Sequence, residues 1–574
     1  MEPAIILEDL SFTYLHSDEP VLKNINITIP KNKVTALVGP VGAGKSTLIL
    51  TLNRIIPSYI PGKLTGKIQI LSEDISKHEI EELAEKINLL FDDPVLQVVG
   101  LTVEEDVAFG PANLGLPREE IWNRVESSLS QLRLTGYEKR NPRTLSGGEM
   151  QLLAMAATFA MQPQILVMDE PVAMLDPVGK AMVFQAIRDL MLKRGLTTVV
   201  TDSGADMEVV CEIADYMILL DQGTVVDQGH PRELLAHRHM VEKTTLRVPQ
   251  VTRIFWQLAE DQDLVPVRLN EAVSSLDKIP KKKGKIDLPL STELDSRKGE
   301  EIVNARNIHH VYPSIPPVHA LRGVDVKIHR GEMVALLGQN GSGKTTLALH
   351  LVGILKPTNE DASIQVAGLD VITARTKETI QHINYVFQNP YNQLFNQTFG
   401  AEVEYGPKQL GLPPDVVDER VEAALDAVGL LQWRKYYQAA LTRSEATLLG
   451  LASVLSLEPE VIIADEPTKG LDEPAARKVI QVLQDRCKSN KAVIMITHDM
   501  ELAARYASRI LVMSEGVIIA DGKPRQVFSD AEVLEKSYLS PPQITRLAME
   551  LGLTKKEDLP LTIDEFINSF EFYS

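Results

Sequence analysis

The sequence predicts an α/β protein in which one unit occurs twice, and three observations predict it. Segments about three hundred residues apart repeat through nearly the whole chain: Lys33-Val34-Thr35-Ala36-Leu37-Val38-Gly39 returns as Glu332-Met333-Val334-Ala335-Leu336-Leu337-Gly338. Within each copy, short β-branched runs alternate with longer amphipathic stretches, the pattern of a largely parallel sheet flanked by helices. Each copy also passes from an apolar strand into a helix through a glycine-rich loop.

At 574 residues the chain is too long for one core. Its apolar fraction of 44% and charged fraction of 24% are those of an ordinary globular protein. No window approaches the roughly 18 to 20 unbroken apolar residues of a membrane helix. Met1-Glu2-Pro3-Ala4 has no basic region leading into an apolar core, so a secretory signal is not expected. Cys211 and Cys487 stand apart from any ligand-like cluster and fit a reducing cytoplasm. The formal charge of -19 argues against wholesale nucleic-acid binding. A cytoplasmic protein is expected, with any membrane role supplied by a partner.

The elements follow in order. Ile165-Leu166-Val167-Met168, Thr197-Thr198-Val199-Val200 and Tyr216-Met217-Ile218-Leu219-Leu220 read as buried parallel strands, and Glu119 to Leu132 and Gly179 to Lys193 as helices. After Gly229-His230-Pro231 and Gly522-Lys523-Pro524 each copy closes with a short, mainly helical extension, and Pro249-Gln250-Val251-Thr252-Arg253 there matches Pro542-Gln543-Ile544-Thr545-Arg546. The units are expected at 1–235 and 301–530, the extensions at 236–276 and 531–574, and a linker at 277–300. That linker carries Lys281-Lys282-Lys283-Gly284-Lys285, then mixed charges and prolines, and reads as a solvated tether.

Gly39-Pro40-Val41-Gly42-Ala43-Gly44-Lys45-Ser46 and Gly338-Gln339-Asn340-Gly341-Ser342-Gly343-Lys344-Thr345 are P-loops, each placed between a strand and a helix. Glycines let backbone N–H groups converge on phosphates, and the helix N-terminus adds a favourable field. The lysine reaches the β and γ phosphates, and Ser46 or Thr345 helps hold Mg²⁺. Downstream, Ile165 to Glu170 and Val461 to Glu466 are apolar strands ending in Asp-Glu. Asp169 and Asp465 suit Mg²⁺ held through water, and Glu170 and Glu466 suit the polarising of an attacking water.

P-loop, Leu145-Ser146-Gly147-Gly148-Glu149 and Asp169-Glu170-Pro171, in that order, resemble the ATP-binding cassette (ABC) ATPases over nearly the whole of both copies. The resemblance implies two tandem P-loop NTPase domains, each with a helical subdomain, and ATP with Mg²⁺ as ligands. It implies an intramolecular head-to-tail dimer in which each nucleotide lies between one P-loop and the other unit's signature. It further implies adenine stacking by Tyr14 and Tyr312, nucleotide contacts from the P-loop glycines with Thr47 and Thr346, and a connecting loop at Leu175-Asp176 and Leu471-Asp472. A narrower resemblance, to the ATPases of energy-coupling-factor (ECF) importers of vitamins and transition metals, rests on Pro94 to Pro111, Phe387 to Leu394 and Tyr405-Gly406-Pro407, with Asn113 to Pro117 and the helical extensions. It implies a transmembrane scaffold subunit and a small substrate-binding membrane subunit as partners. A soluble tandem ABC protein acting on ribosomes or in DNA repair is the alternative. It would call for a longer basic linker or long coiled-coil insertions, and the sequence shows neither.

The resemblance also divides the residues unequally. Gln388 matches the family's glutamine, which meets Mg²⁺ and the attacking water, and His498 matches its histidine near the γ-phosphate, whereas Asp92 and Asp202 stand at those places in the first copy. An ionised Asp202 could not donate to a phosphate. The second copy's signature place reads Leu441-Thr442-Arg443-Ser444-Glu445, without the two glycines, although the Arg443 side chain could still bind phosphate. Paired head to tail, Lys344, Gln388, Asp465, Glu466 and His498 meet Ser146, Gly147 and Gly148, a complete set. Lys45, Asp92, Asp169, Glu170 and Asp202 meet Thr442, Arg443 and Ser444. One hydrolytic site and one that mainly holds nucleotide are expected.

Overall fold

The computed structural model describes residues 2–572 except 146, 173–174, 176, 245, 259–264, 277–280, 283–298, 314–316, 439–440, 554–557 and 570. Ser146, Asp176 and most of the expected linker therefore lie outside the described residues. The chain forms two compact units, Met1–Ala272 and Val273–Ser574.

In the first unit a six-stranded sheet runs in the order Thr224–Gly229, Tyr216–Asp221, Val34–Val38, Thr197–Asp202, Ile165–Met168, Ile87–Leu90. Neighbours are parallel except at the edge, where Thr224–Gly229 runs antiparallel to Tyr216–Asp221. From Val34–Val38 the chain goes to the far edge, steps back strand by strand, and then passes to the other side of Val34–Val38. The reversal therefore falls at the strand that carries the glycine-rich loop, where ligands of open α/β sheets bind.

The two-residue alternation of a strand sends side chains to two faces. Leu89, Val167, Val199 and Ile218 join one core, under the antiparallel sheet Leu22–Pro30, Pro3–Tyr14, Gly62–Ile70, Glu73–Asp74. Leu90, Leu166, Met168 and Val200 join the other, against the helices Val103–Asn113, Arg118–Gln131 and Gly147–Met161. The first of these helices starts at a capping box in which Thr102 and Glu105 bond each other's backbone amides.

The second unit repeats the plan. Its sheet runs Ile383–Val386, Val461–Asp465, Ala492–Ile496, Met333–Gly338, Arg509–Ser514, Val517–Gly522. Its helical layer is Phe399–Leu410, Pro414–Ala427 and Arg443–Leu455. In both units one buried carboxylate fixes the loop before this layer. Asp106 Oδ1 accepts from the amides of Val99 and Gly100 at 2.7 and 2.8 Å, and Glu402 Oε2 from those of Phe395 and Asn396 at 3.0 and 2.8 Å. The extensions are anchored alike: the buried Thr252 hydroxyl donates to the Pro266 carbonyl, and Thr545 to that of Pro560, each at 2.7 Å.

Candidate active site

Both P-loops take the shape their glycines permit. A Cβ at Gly39 would lie 2.0 Å from the Leu220 carbonyl oxygen, and one at Gly338 2.2 Å from that of Met513. Only glycine lets the loop pass so close to the neighbouring strand. Gly44 and Gly343, at φ 98° and 103°, precede the helices Lys45–Leu52 and Lys344–Leu351. The buried Lys45 ammonium donates to the carbonyls of Gly39 and Pro40 at 2.7 and 3.0 Å, and Lys344 to those of Gly338 and Gln339 at 2.7 and 2.6 Å. Burial pushes the Lys45 ammonium below its usual range, with Glu170, Asp202 and Asp169 opposing that shift. The Tyr14 hydroxyl is 2.9 Å from Thr47 Oγ1 and that of Tyr312 is 3.3 Å from Thr346 Oγ1. Both rings therefore stand beside their P-loop helix.

The residues fit Mg²⁺. Thr345 Oγ1 donates to Asp465 Oδ2 at 3.1 Å, and Ser46 hydrogen-bonds Asp169. A hydroxyl beside a carboxylate is the hard-oxygen pair that Mg²⁺ takes together with phosphate oxygens. Among the described residues there is no cluster of three or more His, Cys, Asp or Glu to hold a metal by protein ligands alone. Glu170 and Glu466 follow at φ 42° and 47°, a left-handed conformation that costs a non-glycine residue energy and is concentrated at functional sites. Burial pushes the Glu466 carboxyl up to about 7 and raises that of Glu170 above its usual range.

Sheet register confirms one counterpart and corrects another. Ile87 pairs with Ile165 as Ile383 pairs with Val461, which sets Asp92 opposite Gln388 in the repeat, both exposed. On the next strand Leu37 pairs with Thr201, whereas Leu336 pairs with Ile496. Thr201 thus takes the place of Ile496, Asp202 that of Thr497, and Ser203 that of His498. The local bonds agree, since the Gly204 amide donates to Asp202 Oδ1 at 2.6 Å and the Asp499 amide to Thr497 Oγ1 at 3.0 Å. Asp202 is therefore a turn-forming residue, contrary to the expectation that it replaces the histidine. The extra Gly204-Ala205 ahead of Asp206 had allowed Thr201-Asp202 to mimic Thr497-His498 in the sequence. Ser203 hydrogen-bonds Glu170 where His498 Nε2 lies 3.6 Å from Glu466 Oε1.

Gly147, Gly148 and Glu149 open the helix Gly147–Met161. In the second unit Thr442 caps Arg443–Leu455 in a capping box with Glu445. Arg443 turns back onto its own unit: Nε donates to the Lys469 carbonyl at 3.0 Å and Nη2 to the Gln388 carbonyl at 3.3 Å. Its stem runs beside Gly470, where a Cβ would sit 2.9 Å from Arg443 Cδ. Ser444 Oγ donates to Asp472 Oδ2 at 3.1 Å. Two further hydroxyls, of Tyr385 and Thr201, reach the Asp465 and Asp169 carboxylates. Sequence reasoning missed both, and its one available signal was a phenol in the strand Ile383–Val386 leading into the Gln388 loop.

Two doubly layered α/β units, each with a P-loop at the sheet's reversal and an Asp-Glu pair on the next strand but one, define a tandem P-loop nucleoside triphosphatase. The ABC transporter family profile matches residues 22–173 and 321–469. A protein of Caldanaerobacter subterraneus subsp. tengcongensis described as an ABC transporter ATP-binding protein is 36% identical over 557 residues, covering 96% of each chain. One of Methanosarcina acetivorans with the same description is 35% identical over 564 residues, covering 96% of this chain and 90% of its own. Among solved structures, cbiO1 of Clostridium perfringens, described as part of the ABC transporter complex cbiONQ, is 33% identical and matches 43% of this chain and 99% of its own at a TM-score of 0.38. The chain belongs to the ABC transporter family: it is an ABC ATPase with two cassettes, and it takes ATP with Mg²⁺. Among the described residues no helix is long and apolar enough to cross a membrane.

Proposed function

We propose that this chain is the ATP-hydrolysing motor of an ECF-type importer of a vitamin, a vitamin precursor or a transition metal, with one complete and one degenerate composite site. The carrying observation is how the departures divide. The first unit's own loops carry Asp92 and Ser203 where the second has Gln388 and His498, whereas the second unit's signature place carries Arg443 and Ser444. In a head-to-tail pairing all four fall in one site, and the other joins Lys344, Gln388, Asp465, Glu466 and His498 to Ser146, Gly147, Gly148 and Glu149.

In that complete site Lys344 and the backbone amides around Gly341 and Gly343 neutralise the β and γ phosphates. Thr345, Asp465 and Gln388 would hold Mg²⁺, and the ion would supply charge neutralisation on the phosphate oxygens. Glu466 accepts the proton of the attacking water, and His498, 3.6 Å from Glu466, donates its N–H to the γ-phosphate.

A membrane partner is supported by exposed apolar side chains in the segments that follow each Gln388-type loop. Leu96 and Leu101 are 74% and 78% exposed in the first unit, and in the second Phe395 is 66% exposed, with Tyr437, 72% exposed, bridged from later in the chain to Thr398. Patches of this kind mark interaction surfaces. Purification of the tagged chain from membranes is expected to bring down a scaffold subunit and a small hydrophobic subunit. Sedimentation with ribosomes instead would overturn this reading.

A further inference from the structure

The Asp that ends the strand next to the P-loop strand's neighbour is buried in both units, with Asp169 6% and Asp465 4% exposed. Each accepts a hydrogen bond from its P-loop hydroxyl. Each also accepts one from a second buried hydroxyl, and the two units draw that hydroxyl from opposite sides. In the second unit the Tyr385 phenol donates to Asp465 Oδ2 at 2.5 Å. In the first unit Thr201 Oγ1 donates to Asp169 Oδ1 at 2.5 Å and accepts from the Glu170 amide at 3.0 Å.

Register shows that this is an exchange between two flanks. Tyr385 pairs with Ile463, two residues before Asp465 and on the same face of the sheet, from the strand on one side. The matching residue of the first unit is Leu89, which pairs with Val167 and has no hydroxyl to give. On the other side Asp465 pairs with Ile496, which has none either, and the matching residue of the first unit is Thr201. One unit therefore has phenol and isoleucine where the other has leucine and threonine. A buried phenol taking the nearest acceptor would account for Tyr385 alone. It does not account for a different residue, on a different strand, arriving at the same carboxylate in the other copy.

We propose that Tyr385 and Thr201 are positioning residues for the Mg²⁺-facing carboxylates, each occupying one lone pair of its Asp and so fixing the rotation of the carboxylate beside the P-loop hydroxyl. This rests on the reading of Asp465 and Asp169 as the acids that face Mg²⁺. Hydrogen-bond partners of a metal-facing ligand typically change metal affinity about ten- to hundredfold when removed. Because the hydroxyl can come from either flank, it can also be moved between them.

The test uses the full chain with Lys45→Ala, so that nucleotide is held by the second P-loop, together with Glu466→Gln and a non-hydrolysable ATP analogue. Mn²⁺ is titrated and the free ion is read by electron paramagnetic resonance. Tyr385→Phe is expected to weaken Mn²⁺ binding about tenfold or more, with metal-free nucleotide affinity unchanged, and adding Ile496→Thr is expected to restore it. The mirror experiment, with Lys344→Ala and Glu170→Gln, uses Thr201→Val, with Leu89→Tyr as the restoring change. Asp465→Asn separates the two layers of the argument. If it weakens Mn²⁺ while Tyr385→Phe does not, or if Ile496→Thr restores nothing, the positioning role is overturned. If Asp465→Asn itself has no effect, the metal-facing assignment falls and this inference falls with it.

Discussion

His498 Nε2 lies 3.6 Å from Glu466 Oε1 in the second unit, and the matching contact in the first is the Ser203 hydroxyl on Glu170. At 3.6 Å the imidazole is close to Glu466 without giving its N–H to it, which leaves that proton for a phosphate, whereas the Ser203 hydroxyl has a single proton and is hydrogen-bonded to Glu170. The two glutamates share strain and burial, but only one has an imidazole beside it. Glu466→Gln is therefore expected to abolish ATP turnover and Glu170→Gln to spare most of it, measured as steady-state phosphate release. His498→Ala is expected to lower kcat by about a hundredfold or more, the usual effect of removing one donor to developing charge. Equal losses in the two glutamate variants would sink the asymmetry.

The same burial sets a pH dependence. Glu466 must be ionised to accept a proton, and its carboxyl is pushed up to about 7. Turnover is expected to climb as pH rises through about 7 and then level off. Glu466→Asp should shift that limb or lower its plateau, and a flat profile from pH 5.5 to 8 would contradict the assignment.

Asp202 gives a stability prediction of definite sign. Its carboxyl is pushed up to about 7, chiefly by burial and then by the charges of Asp206 and Glu170. The folded state keeps this proton where the unfolded chain has lost it, so the stability it contributes is present below about pH 4 and is lost as pH rises to about 7. Thr497 makes the same turn without a charge. Asp202→Thr is therefore expected to raise the thermal midpoint at pH 8, by roughly 3 °C or more, with little effect at pH 4.

Arg443 is committed to its own unit through the Lys469 and Gln388 carbonyls. Arg443→Ala is expected to cost about 1–2 kcal/mol of stability in denaturant unfolding. With Lys344→Ala present, the nucleotide affinity that remains at the first P-loop should not change. A tenfold loss there would mean that the guanidinium serves phosphate after all.

Ser203→His should not by itself raise turnover. It places an imidazole at the matching position, but Asp92 and the Arg443-Ser444 replacement remain. An increase in phosphate release in the Glu466→Gln background would show that Ser203 alone holds the first unit back.

Much of this was legible in the sequence for a plain physical reason: P-loops, strand-ending acids and helix starts are written in contiguous residues. The Asp92 and Gln388 pair was legible as well, because a proline two positions on marks the same turn in both copies. Ser203 was not. Register is fixed by the neighbouring strand, and Leu37 pairing with Thr201 cannot be read from either segment alone. Tyr385 and Thr201 were hidden similarly, since a phenol and a carboxylate 80 residues apart meet only when two strands pair. The left-handed backbone at Glu170 and Glu466 left no trace, because glutamate is not a residue chosen for that conformation.

The clasp that fastens each extension carries a consequence about origin. Thr252 and Thr545 sit in matching pentapeptides and make the same bond, to a proline carbonyl, at the same length. Two copies do not arrive independently at one bond between matching residues, so the cassette already wore its extension when it was doubled. The residues that differ between the two halves, Asp92, Ser203 and Arg443 among them, are then divergence within a unit that was already whole.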